Sequence, residues 1–165
     1  MTQTMARKMN PQVLTKPDSI IVRIATIYDS DLIFKWRNDP VTISTSRSCK
    51  PIEWDGHSYW FFQELSNPNT VCLIGCYHQP FGVCWFRINR SSIWETSVNT
   101  DPAYRGKGLS VPLLSSCMDY MRENNHAKIF STEIKDGNEA SVKMFERCGF
   151  VYIHPSHGFA TYCTL

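Results

Sequence analysis

The 165-residue sequence has no long apolar run, little net charge and no paired cysteine motif, and each absence closes off a class of function. No stretch approaches the roughly 20 apolar residues needed to cross a bilayer. Residues 1–16 are polar and basic, without the apolar centre of a secretory signal, so the expected location is the cytoplasm and no membrane role is expected. Seventeen Lys and Arg against fifteen Asp and Glu leave a net charge of +2, and there is no dense basic stripe, so a nucleic-acid partner is not expected. The seven cysteines (Cys49, Cys72, Cys76, Cys84, Cys117, Cys148 and Cys163) are odd in number, lack any C-x-x-C pair and sit mostly in apolar runs. They read as reduced thiols, with no disulfide frame and no metal site. Internal repeats and low-complexity tracts are also missing.

What remains is an ordinary globular composition, 42% hydrophobic and 19% charged, of a length that suits one domain. Residues 1–19 are expected to form a flexible arm and residues 20–165 a single domain. Strands are predicted over residues 20–26, 71–77, 81–88, 93–100, 128–134, 150–154 and 160–164 from β-branched and alternating apolar content. Helices are predicted from residue 31 to a stop near Asn38-Asp39-Pro40, then over residues 51–65, 108–124 and 138–148, the last closed by Gly149. Residues 42–50 show no period and read as a loop. This order fits an α/β fold, a mixed sheet with helices on both sides. Gly75 weakens its strand, and the sequence offers no reason for it.

The most informative stretch leads out of the strand ending at Thr100 and into the third long helix. Arg105, Gly106, Lys107, Gly108, Leu109 and Ser110 place two glycines and two cations where a helix begins. The first N–H groups of a helix have no partner inside it, and the dipole adds positive charge there. Glycine lets an anion approach the backbone closely. An ordinary turn with two solvated cations is the plainer reading of these residues alone.

Two motifs in order, R-x-x-G-x-small at Arg105, Gly108 and Ser110, and N-x-x-S-x-x-x-aromatic-x-x-x-G-F at Asn138, Ser141, Phe145, Gly149 and Phe150, resemble the GNAT superfamily of acetyl-coenzyme A-dependent N-acetyltransferases. The resemblance spans the chain from about residue 20. It implies the GNAT fold, with the central sheet splayed at the cofactor strand, and acetyl-CoA as cofactor. The cofactor diphosphate would lie on residues 105–110. Its pantetheine arm would run along Val98, Asn99 and Thr100 like an added strand. Trp36-Arg37-Asn38-Asp39-Pro40, the segment from Ile52 to Phe61 with His57, Trp60 and Phe61, and Glu95-Thr96-Ser97-Val98-Asn99 further resemble PseH-like enzymes, which acetylate nucleotide-linked amino sugars.

Amide formation from a thioester needs a neutral amine, a stabilised oxyanion and a proton for the leaving thiolate. Many family members place a Tyr acid four residues after the Ser of the second motif, where this chain has Phe145. Tyr152 and Tyr162 are candidate substitutes. Glu95, beside the cofactor strand, and His57, on the second predicted helix, are the candidate bases; each is also read as a structural residue, paired or packed. Asn138 either bonds the pantetheine arm or caps its helix. Arg37, Asn38, Arg47, Trp94 and Asp136 are candidate acceptor contacts, while Trp36, Trp54, Trp60 and Trp85 read as core. The expected acceptor is a small-molecule amine, a nucleotide-linked amino sugar, bound by a monomer or homodimer. The alternatives are a protein N-terminus or ribosomal-protein amine, or a cofactor-binding module that has lost catalysis.

Overall fold

The computed structural model describes residues 20–165, so the expected arm over residues 1–19 lies outside the described residues. The chain runs β1 (Ile21–Ile24), α1 (Ser30–Arg37), α2 (Pro40–Thr45), α3 (Trp54–Leu65), β2 (Thr70–Tyr77), β3 (Gln79–Ile88), β4 (Ile93–Thr100), α4 (Ser110–Asn125), β5 (Ile129–Lys135), α5 (Glu139–Arg147), β6 (Phe150–Pro155) and β7 (Phe159–Thr164). The strands form one seven-stranded sheet in the order β1-β2-β3-β4-β5-β7-β6. Only β4 and β5 are parallel neighbours.

The element absent from the sequence reading is α2, since Pro40 was expected to stop the chain's first helix and residues 42–50 to be a loop. Pro40 instead occupies the first turn of α2, where its missing N–H costs nothing. Asp39 is its N-cap, accepting from the N–H groups of Val41 and Thr42 at 3.1 Å each. The same logic settles Pro112 in α4: with the N-cap at Leu109, it lies among the donors that have no intrahelical acceptor anyway.

Strand alternation sends each face of the sheet to a different set of helices. Cys72, Ile74 and Val83 pack with Ile33, Trp36 and Phe61 under α1 and α3. Leu73, Cys84, Phe86, Trp94 and Phe130 pack with Leu113, Leu114, Cys117 and Met118 of α4, and with Phe145 of α5. Gly75 finds its reason here. It lies opposite Gly82, and a Cβ at either would fall 2.1 Å or 2.5 Å from the two methyls of Leu113. The paired glycines therefore form the seat on which the fully buried Leu113 presses α4 against the sheet.

The parallel β4–β5 ladder is short. It pairs Ile93, Trp94 and Glu95 with Ile129, Phe130 and Ser131, and then stops. β4 continues to Thr100 and β5 to Lys135 without pairing to each other, so the sheet opens in a V whose apex is Glu95 and Ser131.

Candidate active site

The opening between β4 and β5 is a cleft of about 1110 Å³. It passes through the sheet. On the α4/α5 side its walls include Thr96, Val98, Thr132, Asn138, Ser141 and Phe145; on the other they include Glu95, Asn99, Glu133, Arg37, His57 and Trp60. A ligand entering from one face can thus meet a ligand from the other in the gap.

Beyond β4, the chain forms a turn over Pro102–Tyr104, capped by Asp101, and then the glycine loop. Gly106 and Gly108 have φ of +73° and +75°, the left-handed region that disfavours side chains. A Cβ at either would meet nothing within 4 Å, so conformation and not crowding calls for glycine, and the space above the backbone is open. Leu109 at the N-cap of α4 offers no side-chain acceptor, which leaves the first-turn N–H groups available to an anion. Lys107 lies over the Tyr104 ring at 5.1 Å. Arg105 is turned toward α2: its Nη1 donates to Asp39 Oδ2 at 2.5 Å and its Nη2 to Thr42 Oγ1 at 2.9 Å. Burial opposes ionisation of Asp39, but the Arg105 guanidinium and the amides of Thr42 and Val41 outweigh it and hold the carboxyl below its usual range.

Val98 and Asn99 line the cleft on the part of β4 that has no β5 partner, while Thr100 is buried at the strand end. Asn138 is the N-cap of α5, its Oδ1 accepting from Ser141 N–H at 3.3 Å, and both residues face the cleft. Phe145 is buried edge-to-face against Phe150 at 4.9 Å and also contributes to the cleft wall. Tyr152 and Tyr162 meet edge to face with centroids 5.8 Å apart, and neither lines the cleft, so neither hydroxyl stands in for the acid absent at position 145.

Several acceptor-side expectations are corrected. Trp94 alternates to the other face and is buried in the α4 core. Asn38 clamps the chain before α3, donating to Ile52 O at 2.9 Å and accepting from Ile52 N at 2.8 Å. Asp136 is exposed outside the cleft. Arg47 does line the cleft, but its guanidinium is paired with Glu133 and stacked on the Phe159 ring at 4.5 Å, so it is not a free cation. Trp36 is core as expected. Trp60, 41% exposed, and Trp85 form instead an aromatic wall of the cleft, with centroids 5.1 Å apart. Their apolar spacing on α3 and β3 looked like core because a cleft wall and a core face carry the same periodicity.

Arg37 and Glu95 stand apart from this pairing. Arg37 Nη1 is buried with no hydrogen-bond partner, and no carboxylate pairs with the guanidinium among the described residues. Burial alone pushes its pKa below the ordinary value. Glu95, at the apex of the V, is exposed and held only by the Asn89 amide at 3.4 Å. The nearby Arg87, its register partner on β3, is taken by Glu64 at 2.8 Å.

His57 is buried between α1 and α3, stacked on Phe61 and bonded through Nε2 to the Ser30 carbonyl at 3.0 Å. That bond makes Nε2–H the donor and leaves Nδ1 as a buried lone pair without a partner. Desolvation lowers its pKa, more than the Ser30 carbonyl and Asp31 raise it. The unfolded chain therefore binds the extra proton, so His57's contribution to stability is complete above the unfolded value of about 6.5 and falls as pH drops toward the folded value. Thermal melts from pH 7.5 down to about 5.5 are expected to show a falling Tm, and His57→Gln, which keeps a donor for Ser30, is expected to flatten that slope.

Residues 32–150 match the sequence model of the acetyltransferase (GNAT) family. No well-characterised protein matches the sequence closely enough to count as a relative. Among solved structures, a domain from Methanocaldococcus jannaschii superposes with a TM-score of 0.79 at 22% identity, covering 89% of this chain and 98% of that one. The spermidine N-acetyltransferase from Vibrio cholerae, solved with CoA and spermine, gives 0.76 at 17% identity, covering 88% and 93%. The aminoglycoside acetyltransferase AAC(6')-Ib, solved with coenzyme A and kanamycin, gives 0.74 at 14%, covering 88% and 93%. These likenesses are of fold. With the family match spanning most of the chain, and the splayed sheet and open glycine loop in place, the chain belongs to the acetyltransferase (GNAT) family.

Proposed function

We propose that the chain transfers acetyl from acetyl-CoA to the primary amine of a nucleotide-linked amino sugar. The residues present suit the cofactor: positive-φ glycines with open space above them, an uncapped helix start, and a strand edge free from Thr96 to Thr100. In this reading Gly106, Lys107, Gly108, Leu109 and Ser110 hold the diphosphate, while Val98 and Asn99, with Ser141 and Phe145 opposite, flank the pantetheine arm. Bound there, acetyl-CoA supplies an activated acetyl group and a thiolate leaving group.

Glu95 takes a proton from the acceptor ammonium, directly or through one water, since only the neutral amine attacks. Phe145 excludes water and carries no proton, so the thiolate is protonated by what the amine gives up. Positioning in the V supplies much of the remaining acceleration.

Arg37 carries the substrate reading. A partly buried guanidinium without an acceptor is a strong site for a phosphate, because desolvation has already been met and the fork matches its oxygens. The aromatic wall of Trp60 and Trp85 offers a ring face in the same cleft. A polycationic acceptor, such as the spermine or kanamycin bound in the similar structures, would need unpaired carboxylates; Glu133 is paired with Arg47, which leaves Glu95 alone among the described cleft residues.

The test is a mass-spectrometric screen of UDP-amino sugars, peptides, spermidine and aminoglycosides with acetyl-CoA. Acetylation of a nucleotide amino sugar is expected, with Arg37→Gln raising its KM by about 10-fold or more, as for a lost charge-assisted phosphate bond. Acetylation of peptides or polyamines alone would overturn this reading.

A further inference from the structure

We propose that Asp39 is a positioning residue that ties Arg105 of the glycine loop to the α2 strap, so that filling the loop with a diphosphate orders the acceptor side of the cleft. The inference rests on the proposed assignment of residues 106–110 as the diphosphate loop, and adds Arg105 to it.

Residues 39–50 cross the open V from one strand to the other. At the near end, Asp39 and Thr42 receive the two Nη donors of Arg105, and Thr42 Oγ1 donates in turn to Asn99 Oδ1 on β4 at 3.2 Å. At the far end, Lys135 on β5 donates to the Ser44 carbonyl at 2.8 Å, and Arg47 pairs with Glu133 of the same strand. The strap therefore bridges the two strands whose separation makes the site. The ion pair is sheltered, with Arg105 and Asp39 side chains 30% and 14% exposed, so water screens it incompletely.

A guanidinium has five N–H donors in a fixed plane, and the strap engages two of them. The remainder are free to meet phosphate oxygens without breaking either strap contact. Asp39 keeps the plane in one orientation, and the same carboxylate starts α2 by capping Val41 and Thr42. An anion that fixes Arg105 thereby fixes the helix start to which Arg105 is bonded. Two sites joined by such a bridge are coupled in both directions.

The variant that isolates the bridge is Asp39→Asn, because Asn caps a helix as well as Asp does and removes only the charge that Arg105 holds. Hydrogen exchange is measured by mass spectrometry with and without CoA, on the whole chain. In the unchanged protein CoA is expected to slow exchange at residues 106–111, and at residues 41–46 by about fivefold or more, the lower end of usual coupling between sites. In Asp39→Asn the slowing at 41–46 is expected to shrink, since Arg105 keeps only its bond to Thr42, and in Arg105→Gln it is expected to vanish. For Asp39→Asn the slowing at 106–111 is expected to persist. Equal slowing at 41–46 in the Asn variant overturns the proposal, as does an unresponsive strap in the unchanged protein whose loop is protected. No slowing at 106–111 in the unchanged protein would instead sink the loop assignment, and this inference with it.

Discussion

Gly108→Asp is expected to abolish CoA binding, while Gly108→Ala is expected to leave it measurable. The two substitutions separate conformation from charge. Both put a Cβ on a residue at φ +75°, and neither meets a neighbouring atom within 4 Å. Left-handed backbone costs Ala about 1–2 kcal/mol and Asp somewhat less, so the Ala variant is expected to lose about 2–8 °C in Tm for a domain of this size. The Asp variant is the less strained of the two, yet it sets a carboxylate where the helix start and the loop N–H groups would face phosphate. Calorimetry is expected to show no CoA binding to Gly108→Asp. In thermal melts with CoA at 100 times its Kd, the unchanged protein gains about 2.7 kcal/mol, a rise of about 5–11 °C. That rise should be absent from the Asp variant and present in the Ala variant. Unchanged affinity in the Asp variant would place the diphosphate elsewhere.

The glycine loop was legible in the sequence because it depends on local chemistry: positive φ, a helix start and an uncapped first turn all follow from a few adjacent residues. The succession of strands and helices was legible for a similar reason, since local composition and periodicity mark each element. Contacts between distant segments were not. Nothing in the spacing of Arg47 and Glu133, or of Asp39 and Arg105, says that they meet, so Arg47 read as an acceptor contact and Arg105 as a diphosphate contact, each without its carboxylate partner. Trp94 and Glu95 show how fine the margin is. One step along β4 moves a side chain from the α4 core to the cleft, and the strand's parity is fixed only by its partners on β3 and β5. Gly75 was opaque because its reason, Leu113, comes 38 residues later, on another element. α2 was missed through a rule applied at the wrong end. Asp-Pro starts a helix as readily as it ends one, and Asp39 accepts from both Val41 and Thr42.

Glu95→Gln is expected to lower kcat by about 100-fold or more with the acceptor that the screen identifies, the usual scale for losing a positioned general base. The residue sits where the β4–β5 ladder ends, opposite Ser131, so its carboxylate projects into the narrowest part of the V, where the two ligands would meet. It is exposed and bonded only to the Asn89 amide, and replacing it leaves no buried group unpaired. Fold stability should therefore change by less than about 0.5 kcal/mol, and CoA binding should be unaltered. A loss of kcat with KM and Tm preserved identifies a group that acts on the reacting amine rather than on its binding or on the fold. Raising the pH should recover part of the lost rate, because a free amine no longer needs a base to remove its proton. Full activity in Glu95→Gln at neutral pH would show that the amine reaches the thioester already neutral. The work of the site would then be carried by the geometry of the V alone.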